Sequence, residues 1–418
     1  MRTVGPAEDG RVSKGRAADR RQNLLARFAA LSGIGLSRED TLLALLTVSL
    51  FLHWILACAV IFFTAVHVAF FEKSIFKDLS RRTSSLFLFA LLALFSLFGL
   101  CIGNVISALF FLAIAIVAFV AFWLRSCMSL RRFERFLDIS VFMGFYCAVY
   151  GIVDAYLFHA SDADYLMQSS MNNANYYGLL LVFLILTALY RLEETLWQSR
   201  VGFYLGSIFV NFIMLLLTES VASLFGLVLG LLCLLVFYRH YRVFAASVFG
   251  LSSLLFGWAY FADAAFEARL IYPIMERVEL WKIGYRSFES SLQNTFFGQG
   301  LFSYQGIWDS SSHNFWDVRG VVPRDFQPHC HNLYLEVLIS VGIIGFFLLA
   351  AYGAVQVFSL YRMSRVHSLR SHTCFLLVLM ATVFFAGLAD VSIFWMQSGT
   401  WFLLASAASG IGAGEHVG

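Results

Sequence analysis

Val105-Ile-Ser-Ala-Leu-Phe-Phe-Leu-Ala-Ile-Ala-Ile-Val-Ala-Phe-Val-Ala-Phe-Trp-Leu124 is a run of 20 residues without a charge. At 1.5 Å per residue, a helix of this length is about 30 Å long, which matches the hydrocarbon thickness of a bilayer. Arg125 follows the run at once. Similar runs recur along the chain, and they are typical of membrane-spanning helices. The sequence therefore predicts an all-α polytopic membrane protein.

The composition excludes a soluble protein of this length. Of the 418 residues, 60% are hydrophobic and only 13% are charged, whereas soluble domains are roughly a quarter charged. Phenylalanine alone accounts for 45 residues, more than a water-soluble core of this size needs. The only cysteine of the longest polar loop is Cys330, so no disulfide can form within that loop.

The positions of lysine and arginine predict the sidedness of the loops, because short loops rich in these residues stay in the cytoplasm. Residues 1–40 contain eight of them, and the short connection 159–172 contains none. Residues 41–71 are flanked by basic residues at both ends, so both ends are expected in the cytoplasm. The segment is long enough for two short spans, and a hairpin is therefore predicted. With both termini in the cytoplasm, the prediction is about twelve spans: two within 41–71, then 84–102, 105–124, 137–158, 175–190, 201–218, 221–238, 243–262, 333–361, 373–391 and 393–412.

Four parts follow from this topology. Residues 1–40 form a basic cytoplasmic tail, 41–262 transmembrane helices 1 to 9, 263–332 a large extracytoplasmic loop, and 333–418 helices 10 to 12 with the C-terminus. Within the tail, residues 22–36 place apolar side chains at helical spacing beside arginines, which fits a helix on an anionic membrane surface. A solvated tail is the alternative.

The large loop is rich in acidic, basic and aromatic residues, which a simple linker is not. Pro273 is tolerated in the first turn of a helix, so a helix over Met275–Gln293 is predicted after it. Arg277, Trp281 and Tyr285 would share one face of that helix. Gly298-Gln-Gly300 is a turn whose bare backbone could let a ligand approach.

Three motifs of this half of the chain resemble one known family. The run His331-Asn332-Leu-Tyr-Leu-Glu-Val-Leu-Ile-Ser-Val-Gly342-Ile-Ile-Gly345 resembles the signature that closes the periplasmic loop in the O-antigen ligase and polymerase superfamily. Arg277-Val-Glu-Leu-Trp281 with Phe297-Gly298-Gln-Gly300 resembles its helix and glycine turn. Met171-Asn172-Asn173-Ala174-Asn175 resembles its asparagine-rich start of a span. The resemblance runs from about residue 140 to the C-terminus.

The resemblance implies a glycosyltransferase of the bacterial inner membrane, with its active site facing the periplasm or cell exterior. It would move a glycan from an undecaprenyl-pyrophosphate carrier to an acceptor hydroxyl of a lipid, a glycan or a protein, as in lipopolysaccharide or capsule biosynthesis. Ligation, polymerisation of repeat units and transfer to protein all stay open. Besides membrane lipid, donor and acceptor, no partner is expected, and no nucleic acid.

Such a transfer needs a base for the acceptor hydroxyl, a binding site for the pyrophosphate anion and flat apolar surfaces that bind the sugars. His331 suits proton acceptance, with Glu336 fixing its tautomer or acting as a second acid–base group. Arg277 suits the pyrophosphate because its guanidinium bonds phosphate bidentately, and helix N–H groups at the start of the span would lie beside the anion. Further pyrophosphate candidates are Arg286, Arg319, Arg324 and Asn332, and glycan candidates are Trp281, Tyr285 and Tyr334.

One departure from the family pattern concerns the anion site. Family members commonly carry Ser-Arg where this chain has Ser220-Val221, so another loop arginine would substitute. Gly342 and Gly345 are expected to be close-packing positions. Asp154 and Asp390 are acids close to predicted outer span ends, and intramembrane acids are functional candidates by default.

Three other functions fit the sequence less well. His329-Cys330-His331 invites a metal hypothesis, but residues two apart in a turn supply few tetrahedral ligands, so neither metal nor cofactor is expected. A transporter or flippase for lipid-linked sugars predicts charged or polar residues along a midplane path, or broken helices in inverted repeats. The spans are almost free of charge, and the sequence has no internal repeat. A cell-wall glycan polymerase of the shape-and-division type shares the layout, but the His-Asn signature disfavours it.

Overall fold

The computed structural model describes residues 37–160, 165–195, 200–239, 247–248, 250, 264–311 and 329–411. These residues form helices and no β-strand. The chain divides into two units, 1–43 and 44–418. In the smaller unit the described residues 37–43 begin the first helix, where the N–H of Asp40 is bonded to the Ser37 hydroxyl at 3.2 Å.

Fifteen α-helices follow one another in the described residues. They are α1 Arg38–Leu52, α2 Trp54–Phe71, α3 Ser74–Arg81, α4 Thr83–Cys101, α5 Val105–Cys127, α6 Leu130–Phe158, α7 Ala174–Thr195, α8 Val201–Leu217, α9 Val221–Phe237, α10 Ala264–Glu289, α11 Leu292–Phe297, α12 Tyr304–Ser311, α13 Leu333–Met363, α14 Arg370–Ala386 and α15 Met396–Ser406. Short 3₁₀ turns occupy Ser169–Met171, His367–Leu369, Ser392–Phe394 and Ala407–Gly410.

Seven of these helical segments are long and apolar enough to cross a membrane, counting described residues alone: α2, α4, α5, α6, α7, α13 and α14 with the turn before it. Two more, α8 and α9, are apolar and have 17 residues each. The chain is therefore a multi-pass, all-helical membrane protein. The count of twelve spans and their sidedness stay predictions, and the span predicted at 243–262 falls almost entirely outside the described residues.

Polar residues in the apolar sequence mark where helices begin. Each of them accepts a hydrogen bond from a backbone N–H of the first turn, which satisfies a group that the helix leaves unpaired. His53 does so for α2, Asn104 for α5, Ser129 for α6, Ser220 for α9 and Asn332 for α13. The predicted break within 41–71 falls at His53, whose backbone is extended.

Two predicted boundaries are wrong. The loop helix begins at Ala264 and not near Met275, so Pro273 lies inside α10. The segment predicted as one span at 393–412 has an α-helix of only 11 residues, flanked by 3₁₀ turns at 392–394 and 407–410.

The helix α7 forms the centre of the bundle, and it is buried along most of its length. Trp401 of α15 stacks on Phe183 of α7 at 5.0 Å, and its indole N–H donates to Ser140 of α6 at 2.9 Å. At one end of α7, the buried Arg191 is paired with Asp138 of α6 at 2.9 Å. These contacts lock α6, α7 and α15 together.

Candidate active site

The segment 329–332 carries the predicted histidine into the first turn of α13. The side-chain oxygen of Asn332 accepts from the N–H groups of Tyr334 and Leu335, both at 3.0 Å. Its amide nitrogen donates to the carbonyl of Leu388 at 3.1 Å. Asn332, a predicted pyrophosphate ligand, therefore uses both polar atoms to cap α13 and to fasten it to the chain after α14.

The predicted anion site at this helix start is already filled by the protein. The N–H of Leu333 donates to the carbonyl of Gly387 at 2.7 Å, and the next two N–H groups donate to Asn332. Since these amides have partners, the expectation that they would face a bound anion is wrong.

His331 lies beside a buried carboxylate from a distant part of the chain. Its Nδ1 is 3.0 Å from Oδ1 of Asp390, which follows α14 and is 2% exposed. The Ser392 hydroxyl donates to the other oxygen of that carboxylate. With Asp390 ionised, Nδ1 of His331 is the donor, so Nε2 carries the lone pair. His331 itself is partly exposed and adopts a left-handed backbone with φ of 53°.

Asp390 stays ionised although it is buried. Burial by itself would raise its pKa, but the hydrogen bonds from His331 and from the Ser392 hydroxyl hold the pKa well below its usual value. A permanently charged carboxylate behind an imidazole stabilises the protonated ring, so the pair is suited to accept a proton at Nε2.

His329 is a second, buried imidazole beside His331. The ring centroids are 4.3 Å apart, and Nδ1 of His329 accepts the backbone N–H of His331 at 3.4 Å. Burial lowers the pKa of His329 to about 4, so this ring is neutral at neutral pH. Its proton is then on Nε2, which lies 3.4 Å from the hydroxyl of Tyr176.

The asparagine-rich segment positions Tyr176. Asn173 accepts from the N–H groups of Asn175 and Tyr176, which starts α7 and turns the tyrosine toward His329. The Tyr176 ring stacks on Trp395 with centroids 4.7 Å apart. Both rings are partly exposed, so a flat aromatic surface adjoins the two histidines.

Glu336 contacts the backbone of the histidine segment. It is 2% exposed and accepts the N–H of Cys330 at 3.2 Å. The Cys330 thiol donates to the carbonyl of Asn332, and burial raises the thiol pKa well above normal, so it stays protonated. The tautomer-fixing contact that the sequence suggested for Glu336 is made by Asp390 instead.

The loop helix α10 packs against the start of α13. A Cβ added at Gly284 would lie 2.8 Å from Ile339 and 3.4 Å from Leu335, so the two helices are in close contact there. Leu280 shares a buried cluster with Cys330 and Tyr304, and the Tyr304 hydroxyl donates to the carbonyl of Leu280 at 2.7 Å. This packing brings α10 beside the histidine segment.

The predicted ligand-binding residues of α10 differ in their surroundings. Arg277 is partly buried and makes no hydrogen bond or ion pair within the described residues. Trp281 packs against the buried cluster, and its indole N–H is buried without a partner there. Tyr285 and Arg286 are exposed. The two remaining candidates, Arg319 and Arg324, lie outside the described residues.

The glycine turn binds protein backbone. Gln299 and Gly300 donate to the carbonyls of Ile339 and Ser340 at 2.8 and 2.9 Å, where α13 is kinked at Gly342. A Cβ at Gly298 would lie 2.5 Å from the Ser340 backbone. The predicted close-packing role of Gly342 is confirmed, although its partner is the end of α11 and not another span. Gly345 packs on Val341 and on Phe95 of α4.

Tyr334, a predicted glycan contact, faces the membrane side of the bundle. Its hydroxyl donates to the carbonyl of Phe384 at 2.7 Å. The ring lines a groove of about 580 Å³ between α13 and α14 whose other walls are almost wholly apolar. An apolar groove fits a hydrocarbon better than a sugar.

A metal ion could be held by His329, His331 and Asp390, whose ligand atoms lie within 4.8 Å of one another. The sequence offered only the first two, and Asp390 supplies the missing third. The same atoms are already hydrogen-bonded as described, with His331 and Asp390 paired at 3.0 Å. The arrangement can therefore accept a proton through the His331–Asp390 pair or supply three ligands to a metal ion.

The departure at Val221 lies close to this cluster. Ala222 and Ser223, the next two residues, line a small cavity together with Asp390 and Ser392. Ser220 donates to Asn175 at 2.7 Å, which ties the start of α9 to that of α7. Ala222 and Ser223 therefore lie beside Asp390, and Val221 before them is exposed and apolar.

Sequence comparison adds a family to this geometry. Residues 206–350 match the family described as O-antigen ligase. The match runs from α8 through the first half of α13, so it includes the histidine segment and excludes Asp390. No curated protein sequence matches the chain. This match confirms the resemblance over residues 206–350, which include the loop helix, the glycine turn and the His331-Asn332 motif but not the asparagine-rich segment at Met171.

Proposed function

Starting from this match to the O-antigen ligase family, we propose that the protein is a bacterial inner-membrane glycosyltransferase. It transfers a glycan from undecaprenyl pyrophosphate to an acceptor hydroxyl at the periplasmic or outer face of that membrane. The observation that carries the proposal is the His331–Asp390 pair, at 3.0 Å, at the start of a membrane-spanning helix. A base at that depth faces the headgroups of lipid-linked substrates.

The proposed reaction is a single displacement at the anomeric carbon. The acceptor oxygen forms a bond to that carbon while the bond from carbon to the pyrophosphate oxygen breaks. Nε2 of His331 takes the hydroxyl proton, and Asp390 stabilises the imidazolium that results. The lipid pyrophosphate leaves with the bonding electrons and the negative charge.

Arginine is proposed to stabilise that charge. Arg277 is the favoured residue because it has no competing carboxylate partner within the described residues and α10 packs beside the site. Guanidinium binds phosphate oxygens in pairs and keeps its charge, so it lowers the barrier to departure of the pyrophosphate. Arg319 and Arg324 are additional candidates, and the exposed Arg286 is a weaker one.

Glycan contacts are proposed for the exposed aromatic faces around the cluster. Tyr285 is exposed on α10, and Trp281 offers the edge that its cluster leaves uncovered. The stacked pair Tyr176 and Trp395 provides a second flat surface beside His329. Glu336 holds the histidine segment by its backbone and acts as a positioning residue.

The test is transfer by purified protein from a defined undecaprenyl-pyrophosphate oligosaccharide. His331→Ala is expected to abolish product formation while donor binding persists. His367→Ala is the matched control, because His367 is exposed and lies beyond the far end of α13. Full turnover by His331→Ala would disprove the assignment, and a flippase would move donor across vesicles whether or not His331 is present.

The identity of the products, and a parallel reaction in EDTA, define the type of transfer and the role of a metal. Glycan on a lipid, a lengthened glycan, or glycan on a protein marks ligation, polymerisation or protein transfer respectively. Transfer is expected to continue in EDTA, since no proposed step uses a metal. Loss of transfer in EDTA, restored by a divalent ion, would reassign His329, His331 and Asp390 as metal ligands.

A further inference from the structure

A second polar cavity lies far from the histidine segment. It has a volume of about 210 Å³ and lies among α4, α5, α13, α14 and α15. Most of its walls are apolar, but Ser85, Arg125, Tyr352, Gln356, Ser406 and Ser409 also line it. Tyr352 is 19 residues beyond Leu333 on α13, so the cavity is roughly 30 Å from the candidate active site.

Several polar groups of this cavity make no side-chain hydrogen bond in the described part of the chain, whereas the Ser406 hydroxyl donates to the carbonyl of Phe402 at 2.8 Å. Nε of Arg125 is buried without a hydrogen bond in the described part of the chain. In that part, Tyr352 and Gln356 likewise make no side-chain hydrogen bond. Buried polar groups are almost always paired, and each one left unpaired costs about 1–3 kcal/mol. The buried Nε of Arg125, with the partly buried Tyr352 and Gln356 lining the same cavity, indicates that a ligand supplies the missing partner.

The charge of the cavity is positive and uncompensated. The guanidinium of Arg82 lies 5.8 Å from the ring centre of Phe122, a lining residue, and is close enough to repel Arg125. Neither arginine has an ion pair in the described residues. The N-terminus of α4, next to Arg82, has no side-chain cap. Two guanidinium groups beside an uncapped helix start attract an anion.

The surroundings identify the kind of anion. The walls are formed by helices that cross the membrane, with apolar residues such as Leu88, Phe89 and Leu376 around the arginine. A free inorganic ion has no reason to leave water for such walls, whereas a lipid brings its own acyl chains. The neighbouring α3 is a short helix with basic residues at Lys77 and Arg81, as expected of a segment at a lipid headgroup layer.

We propose that this cavity binds the phosphate headgroup of an anionic membrane phospholipid. Arg125 and Arg82 hold the phosphate, Tyr352 and Gln356 bond its oxygens or the glycerol, and the upper acyl chains fill the apolar walls. Gly410 packs against the stem of Arg125, where a Cβ would lie 2.6 Å from Cγ, so the end of the last helix helps to aim the guanidinium. The bound lipid ties α5 to α13 at the end remote from the active site.

The experiment measures thermal stability of the delipidated protein in detergent. Adding phosphatidylglycerol is expected to raise the melting temperature, whereas phosphatidylcholine and inorganic phosphate are expected to leave it nearly unchanged. Arg125→Gln is expected to weaken the apparent affinity for phosphatidylglycerol at least tenfold. Arg131→Gln removes an exposed positive charge two residues before Phe133 in α6 and is expected to respond like the parent.

Two further measurements separate the site from a general charge effect. Ala121→Phe fills the cavity without changing its charge and is expected to abolish the rise in melting temperature with phosphatidylglycerol. Native mass spectrometry is expected to show one fewer retained lipid in Arg125→Gln and in Ala121→Phe than in the parent. An unchanged lipid response in Arg125→Gln would overturn the proposal, as would an equal loss in Arg131→Gln. A full response to inorganic phosphate alone would overturn the assignment to a lipid.

Discussion

At the residue scale, the buried Asp390 gives His331 properties that an interfacial histidine lacks. The carboxylate fixes which imidazole nitrogen carries the proton and leaves the other without a hydrogen-bond partner in the described residues. It also supplies the negative charge that a protonated ring needs in a medium of low dielectric constant. The orientation of the ring and the negative charge that faces it therefore depend on the same contact.

Asp390→Asn tests that dependence. The amide presents an N–H donor to Nδ1, which favours the wrong tautomer, so turnover is expected to fall by about 10²–10⁴-fold with donor binding unchanged. The measurement is single-turnover glycan transfer alongside donor binding. Asp154→Asn is the control, because Asp154 accepts from Tyr165 at 2.7 Å in a separate cluster. Equal effects of the two substitutions would contradict a special role for Asp390.

His329 makes stability depend on pH. Its pKa is about 4 in the folded protein against 6.5 in the unfolded chain, so between these values the unfolded state binds more protons. Its contribution is therefore fully present above pH 6.5 and is lost as the pH falls toward 4, by up to about 3 kcal/mol. The melting temperature of the parent should drop more between pH 7.5 and 5 than that of His329→Asn.

The exposed His367 provides the comparison for that slope. His367→Asn is expected to leave the fall in melting temperature between pH 7.5 and 5 the same as in the parent. If His329→Asn also shows the parent's slope, the ring is not held neutral by burial.

Sequence reasoning found His331 but not its partner. The two are 59 positions apart, and only the packing of the end of α14 against the start of α13 brings them together. The sequence marked Asp390 merely as an acid near a span end, which does not identify a partner. Tyr176 was missed for the same reason, since its contact with His329 spans 153 positions.

At the element scale, the kink in α13 is the feature that holds the loop in place. Gly342, with φ of 67°, leaves carbonyls of the preceding turn free, and the glycine turn after α11 donates to them. Asn104 at the start of α5 also donates to the carbonyls of Gln299 and Leu301, at 3.2 and 3.1 Å. The loop is thus bonded to two spans on either side of the turn.

Gly342→Ala should release this connection. A Cβ there would lie 2.4 Å from the backbone of Phe296, and the left-handed conformation itself costs about 1–2 kcal/mol for a residue with a side chain. We expect a melting temperature lower by several degrees and reduced glycan transfer. Gly353→Ala, on the same helix with no atom within 4 Å, is expected to be neutral. A neutral Gly342→Ala would show that the turn does not need the kink.

Helix positions were predictable where a local signal exists. Asn104 and Ser220 mark helix starts in an apolar sequence, and α5 and α9 begin directly after them. The span predicted from residue 137 belongs to α6, which begins earlier, after Ser129. Pro273 was a misleading signal, because the start of α10 at Ala264 precedes it. Residues 392–410 divide into three short elements, and the polar residues and glycines spread through this stretch do not mark where each element begins.

At the scale of the whole molecule, the two sites lie at opposite ends of α13. Hydropathy was sufficient to predict a multi-pass helical protein, because a charge-free run of 20 residues has few other stable environments. It could not predict which polar residues gather at each end, since that depends on how the spans pack. The arginines that set the predicted sidedness include Arg82 and Arg125, which here also line or adjoin a cavity.

The last prediction concerns that sidedness. The 31 residues of α13 are longer than a bilayer core needs, even with the kink at Gly342, so its two ends should emerge on opposite sides. Glu289 ends α10, which precedes the span in the chain, Ser368 follows the span, and both residues are exposed. Labelling with an impermeant maleimide should modify Glu289→Cys in right-side-out vesicles and Ser368→Cys only after permeabilisation, with the parent protein giving the background of its own cysteines. Labelling of both from the same side would mean that α13 does not cross, and a base at its start would then have no access to substrates on the outer face.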